Sequence, residues 1–240
     1  QDNFGQSGLY HALLSPYPTV LHEIIHCNTI DFASRDFRGN TALHGICAYS
    51  ELYFADDDVV LLKDAVESLV EHGLQHQKNM TTLNEKKQSV LQSACTRTND
   101  ESITIVEVLL EHSTAMNLDL NNKDVHGRTA FHYACYNRSV GVAKALLEAG
   151  VDATLLDNDG RNALHSCCSG LDNPESDPND EKDTKMIMET AKFLLESYKT
   201  LGLNIQLQDN QGKTALDLIK DKFEEDDYYS EFFKPLESML

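Results

Sequence analysis

Apolar residues along the chain collect in pairs that close otherwise mixed stretches: Leu69-Val70, Leu109-Leu110, Leu146-Leu147 and Leu194-Leu195. Each pair is read as the end of a helix, and a helix-ending glycine is expected at Gly73 and Gly150, where positive φ carries no steric cost. Ahead of these pairs runs a second, smaller pattern. Cys47, Cys95, Cys135 and Cys168 each lie four residues after a Leu or Phe, and Cys167 takes the small-residue place that Ala94 and Ala134 fill. The pattern predicts two helices per unit, with small side chains where first helices pack against their neighbours. One such unit cannot bury its own apolar face, so stacking of neighbours must build the core.

The units share a phrase, and internal repeats decide the architecture. Asp36-Phe37-Arg38-Gly39-Asn40-Thr41-Ala42-Leu43-His44 returns as Asp124-Val125-His126-Gly127-Arg128-Thr129-Ala130-Phe131-His132. It returns again as Asp157-Asn158-Asp159-Gly160-Arg161-Asn162-Ala163-Leu164-His165, and as Asp209-Asn210-Gln211-Gly212-Lys213-Thr214-Ala215-Leu216-Asp217. Gly127 and Gly160 are 33 residues apart, and Gly5 and Gly39 are 34 apart. A weaker first copy therefore starts at Asp2. A degenerate third copy fits at Asn84 to Ala94, with Lys87 in the place of the turn glycine, where a side chain disfavours the same turn. The phrase resembles the ankyrin signature, a glycine turn leading into Thr-Pro-Leu-His-x-Ala. Ala or Gly stands here where the family has Pro, which should soften the helix start. The Thr or Ser after the turn should cap the first helix through its hydroxyl.

The resemblance implies an all-α solenoid of helix–turn–helix units with hairpin-like loops. It is read as one domain over residues 1–240, with repeats near 2–35, 36–83, 84–123, 124–156, 157–208 and 209–240. Two inserts interrupt it, at residues 49–64 and at 169–185; the first carries Leu52, Tyr53 and Phe54 and is expected to pack back, while the second reads as an acidic loop. The third repeat is longer by about seven residues, near 98–102 or 115–120. Phe223, Tyr228, Tyr229, Phe232 and Phe233 predict a helical cap over the last repeat.

Charge narrows the partners. Asp and Glu number 39 against 20 Lys and Arg, a net charge of -19. Such a surface repels phosphate backbones and anionic lipid heads, so neither direct nucleic-acid nor membrane binding is expected. No run of 18 apolar residues offers a membrane span. The six cysteines form no CxxC pair, which fits a reducing compartment, and a cytoplasmic or nuclear location is expected. The first residue is Gln1 rather than Met, as in an excised or processed chain.

Catalytic motifs give little. His22-Glu23-Ile24-Ile25-His26 matches the H-E-x-x-H zinc-hydrolase pattern. In the repeat register, however, His22 and His26 fall where Lys144 and Glu148 fall, at ordinary exposed positions, and a third ligand is missing. His44, His132 and His165 recur with the phrase, and in the family this histidine bonds backbone near the turn. His72 and His76 are not expected to form a fixed ligand pair, because Gly73 between them should end the helix. The chain is therefore expected to be no enzyme and to need no metal or cofactor.

In the family, partners touch the hairpin tips and the inner faces of the first helices. Carried over by register, that face comprises Arg35, Phe37, Arg38, Tyr49, Arg97, Lys123, His126, Arg128, Tyr136, Arg161 and Lys213. Five of the six arginines fall on it, although Arg or Lys after the turn glycine is common in ankyrin repeats anyway. Arginine and aromatic residues dominate binding hot spots. The expectation is a protein–protein scaffold or inhibitor, monomeric, serving transcriptional or signalling regulation and gripping an acidic or phosphorylated segment. The rival expectation is a targeting module of a larger enzyme or bacterial effector.

Overall fold

The structure is a computed structural model that describes residues 2, 5–13, 31, 33–48, 58–96, 102–169 and 181–223. Its chain divides into two compact units, Gln1–Val125 and His126–Leu240. Every regular element among the described residues is a helix.

The first unit carries α1 (Gly8–Leu13), α2 (Ala42–Ala48), α3 (Asp58–Gln75), α4 (Val90–Cys95), α5 (Ser102–Glu111) and α6 (Ser113–Met116). The short helices α1, α2 and α4 stack on one another in sequence, and the longer α3 packs on α5. Between the two layers lie Leu43, Ile46, Cys47, Val66, Leu69, Leu91, Ala94 and Leu109, all at most 4% exposed. The second unit carries α7 (Ala130–Tyr136), α8 (Val140–Glu148), α9 (Ala163–Ser169), α10 (Glu181–Leu201) and α11 (Ala215–Phe223). It repeats the plan: α7, α9 and α11 stack in one layer, and α10 packs on α8 in the other.

The turns explain why the phrase recurs. In the hairpins of repeats two, five and six the first residue's carbonyl accepts the N–H of the residue three on: Gly39 to Asp36, Gly160 to Asp157 and Gly212 to Asp209, at 2.9–3.1 Å. The side chain of that first residue then accepts the N–H four on, as Asp36 does from Asn40 at 2.8 Å and Asp157 from Arg161 at 2.9 Å. The third copy makes the same turn without glycine. Lys87 sits at φ 57 against 73 for Gly39, its N–H reaches the Asn84 carbonyl at 2.9 Å, and Asn84 Oδ1 accepts from Gln88 N–H. A lysine in the left-handed region is strained but allowed once the neighbouring bonds fix the turn.

Successive tips are joined backbone to backbone. In the first unit Glu85 N–H bonds the Arg38 carbonyl and Val125 N–H bonds the Lys86 carbonyl. In the second, Asn158 N–H bonds His126 and Asn210 N–H bonds Asp159. Beyond each turn, Thr129 and Ser89 close capping boxes with His132 and Gln92, so the predicted hydroxyl caps are present.

Two expectations need correction or refinement. Gly73 does not end a helix, since α3 continues to Gln75. A Cβ at Gly73 would lie 2.1 Å from Met80 Sδ, so the glycine makes room for Met80 to close over the helix. His76 follows the last residue of α3, and its ring centre lies 4.3 Å from that of His72, the two planes tilted by 44°. Gly150 does follow the end of α8, at φ 88. The short helix α6 (Ser113–Met116) overlaps the second of the two stretches named for the extra residues of repeat three only at Ala115 and Met116, and most of the first lies outside the described residues. The bodies of both inserts, the segment holding His22, Glu23 and His26, and the cap beyond Phe223 lie outside the described residues.

Candidate partner-binding face

Each recurring histidine is a clasp between one repeat and the next. His44 Nδ1 lies 2.8 Å from Thr41 Oγ1, and its Nε2 lies 3.1 Å from the carbonyl oxygen of Gln88. His132 repeats this with Thr129 and the Arg161 carbonyl, and His165 reaches the Lys213 carbonyl. In the third repeat Gln92 stands at the same position, and its Nε2 donates to the Asn122 carbonyl at 3.1 Å. Burial pulls the His44 pKa from 6.5 down to about 4, against the opposing pull of the Gln88 carbonyl. The rings of His44 and His132 are thus spoken for by the backbone, as the family pattern implied, and the ring of His165 faces it.

The expected partner-facing residues separate into two groups. Arg35, Phe37 and Arg38 share the tip of repeat two and are exposed. Phe37 is 71% exposed although its ring lies against Gly5, leaving no room for a Cβ there. Arg35 donates to the Leu83 carbonyl at 2.9 Å, across to the next hairpin. Beside this tip opens a cleft of about 600 Å³, lined by Arg38, Asn40, Ala48, Asn84, Glu85, Lys86, Gln88, Ser93 and Thr96. Its floor is ordered by Asn84, which donates to both Asn40 Oδ1 and Gln88 Oε1. Lys123 and His126 are exposed on the tips that follow.

Arg128 and Arg161 of the second unit are engaged internally. Arg161 Nε lies 3.0 Å from Asp209 Oδ2, with only 18% and 1% of the two side chains exposed. Arg128 lies 3.8 Å from Asp157 and 6.0 Å from the centre of the half-buried Tyr136 ring. Burial raises the Asp209 pKa, but N–H groups of Lys213 and Gln211 and the Arg161 guanidinium outweigh it and hold the carboxyl below its usual range. Lys213 is half-buried. Tyr49 and Arg97 lie outside the described residues. The sequence did not disclose these ion pairs. The signal was the Asp opening every phrase, one repeat after an Arg.

Cys47, Cys95, Cys135, Cys167 and Cys168 are buried and form no disulfide, and burial pushes the Cys95 thiol far above the usual range. A thiol so placed as Cys95 is a packing group with little thiolate character. Among the described residues no cluster of three or more His, Cys, Asp or Glu is placed to hold a metal. None of the described helices is long and apolar enough to cross a membrane.

The hairpin, hydroxyl cap and backbone-bound histidine recur in register, and the family model for ankyrin repeats matches residues 58–157 and 117–176. The chain belongs to the ankyrin-repeat family. An ankyrin repeat protein of Rickettsia bellii (strain RML369-C) is 35% identical over 54 residues, 22% of this chain; the match spans 56% of that relative's length. The crystal structure of EF0377, an ankyrin repeat protein, aligns with a TM-score of 0.67 at 22% identity, covering 99% of this chain and 98% of that one. At that identity the likeness shows the ankyrin fold alone. Ankyrin repeats are protein–protein interaction modules, and this chain carries that architecture.

Proposed function

We propose that this chain is a non-catalytic scaffold or inhibitor that holds an acidic or phosphorylated segment of another protein along its hairpin tips and the inner faces of its first helices. Its setting is regulatory, in signalling or transcription, in the cytoplasm or nucleus. The observation that carries this reading is the tip of repeat two. There a phenylalanine 71% exposed stands between Arg35 and Arg38, at the rim of a polar cleft that Lys86 also lines. An exposed aromatic flanked by guanidinium groups combines the two side-chain types that most often anchor an interface. Guanidinium pairs planar anions through two parallel hydrogen bonds. The surrounding charge of -19 gives the site its selectivity, since an anionic partner is repelled elsewhere on the surface.

The test compares affinity capture by the wild-type chain, by Phe37→Ala with Arg38→Glu, and by Lys63→Glu on the exposed side of α3. Partners retained by the wild type and by Lys63→Glu but lost by the double variant support the reading. Equal capture by all three removes the repeat-two tip from the interface.

A further inference from the structure

We propose that His165 carries its ring proton on Nδ1, the opposite nitrogen from His44 and His132, so that its contact with Lys213 is completed only when the ring takes a second proton. The difference begins with one residue. Repeats two and four cap the first helix with Thr41 and Thr129, whose hydroxyls can donate to the histidine Nδ1 at 2.8 Å. The Thr41 and Thr129 N–H groups point at the same nitrogen, at 3.4 and 3.3 Å. In those copies Nδ1 is an acceptor, and Nε2–H donates to the next repeat.

Repeat five has Asn162 instead. Its amide orientation is fixed by two partners: Nδ2 donates to the Asn204 carbonyl at 2.9 Å, and Oδ1 accepts the His165 N–H at 3.2 Å. Turning the amide over would set oxygen against oxygen and N–H against N–H. Oδ1 therefore faces His165 Nδ1, at 2.7 Å. Two bare acceptors do not rest at that distance, so Nδ1 holds a hydrogen. In the neutral ring the Nε2 lone pair then faces the Lys213 carbonyl, at 3.2 Å. A proton on Nε2 turns that contact into a hydrogen bond without disturbing Asn162.

The charges acting on this ring are Asp209 and Asp157, which favour the cation, and Arg161, which opposes it; burial is the largest influence and holds the pKa below 6.5. Cys167 and Cys168 share its helix, His132 and Cys135 lie on α7, and Asp217 and Lys220 lie on α11. The described charged side chains of α10 (Lys185, Glu189, Lys192, Glu196 and Lys199) are exposed. His165 is thus neutral at pH 7, and on acidification it should protonate before His44, whose second proton would have to enter against the Thr41 N–H.

Long-range proton–nitrogen spectra of the whole chain with labelled histidine test this, with peaks assigned by single His→Gln variants. At pH 7 the expected pattern is a protonated Nδ1 for His165 and a protonated Nε2 for His44 and His132. His165 should become doubly protonated at higher pH than His44. Asn162→Thr should move the His165 proton to Nε2. A protonated Nε2 in wild-type His165 at pH 7 would overturn the assignment whatever the variant does, and an unchanged tautomer in folded Asn162→Thr would overturn Asn162 as its cause.

Discussion

His132 Nε2 lies 3.2 Å from the carbonyl oxygen of Arg161, a residue 29 positions further along the chain. The ring is 2% exposed, so this contact replaces water for a carbonyl at the inter-repeat junction. Replacing His132 with Leu leaves that carbonyl without its donor and should cost about 1–3 kcal/mol in urea denaturation. Replacing it with Gln, which already serves at residue 92, should cost less than about 1 kcal/mol. Equal losses for the two variants would contradict a hydrogen-bonding role.

The same clasp in repeat two should make stability depend on pH. His44 has a folded pKa of about 4 against 6.5 for the free side chain, so the fold binds the neutral ring. Its contribution is fully present above pH 6.5 and is lost as pH falls toward 4, amounting to about 3 kcal/mol. Unfolding free energies measured between pH 7 and 4 should show this fall, and His44→Gln should flatten it while other groups keep their own slopes.

The hairpin tips offer a paired test. Lys87→Gly relieves a left-handed lysine and should stabilise the fold by about 0.5–1 kcal/mol. Gly39→Ala makes the reverse change and also brings a Cβ to 2.8 Å from Glu85 N, so thermal unfolding should shift clearly downward. A destabilised Lys87→Gly would mean that the lysine side chain contributes more than its backbone strain costs.

Glycine inside a helix is ordinarily worse than alanine by about 1 kcal/mol. At residue 73 the sign should reverse, because the added methyl would meet Met80, itself 5% exposed. Gly73→Ala should lose about 1–3 kcal/mol by overpacking. Met80→Ala in the same chain should recover part of that loss, giving a non-additive pair in a double-mutant cycle.

Much of the fold could be read before the structure, for a local reason. Turn aspartate, glycine, hydroxyl cap and histidine act within nine residues and recur, so each copy corroborates the others. In degenerate repeat three, Asn84 and Ser89 keep the bonding groups of the turn and the cap while only the glycine is lost. What escaped was set by neighbours distant in sequence. Gly73 looked like a helix end because Met80's close approach leaves no mark on periodicity. Arg161 and Arg128 are among the residues expected to face a partner, but their pairing with Asp209 and Asp157 depends on how consecutive hairpins line up. Asn162 looked like one more cap, and only its two fixed partners give it a different consequence.

The tip-to-tip bonds are made by the main chain, from Glu85 N–H to Arg38 and from Asn210 N–H to Asp159. Those main-chain bonds place no demand on the side chains at Phe37, Lys86 and Gln211, whereas Arg35, Asn84 and Arg161 also reach the neighbouring hairpin through their side chains. Residues such as Phe37, Lys86 and Gln211 can drift under selection for a new target while the repeats go on locking together unchanged. What the molecule recognises and what keeps it folded can thus evolve on separate schedules.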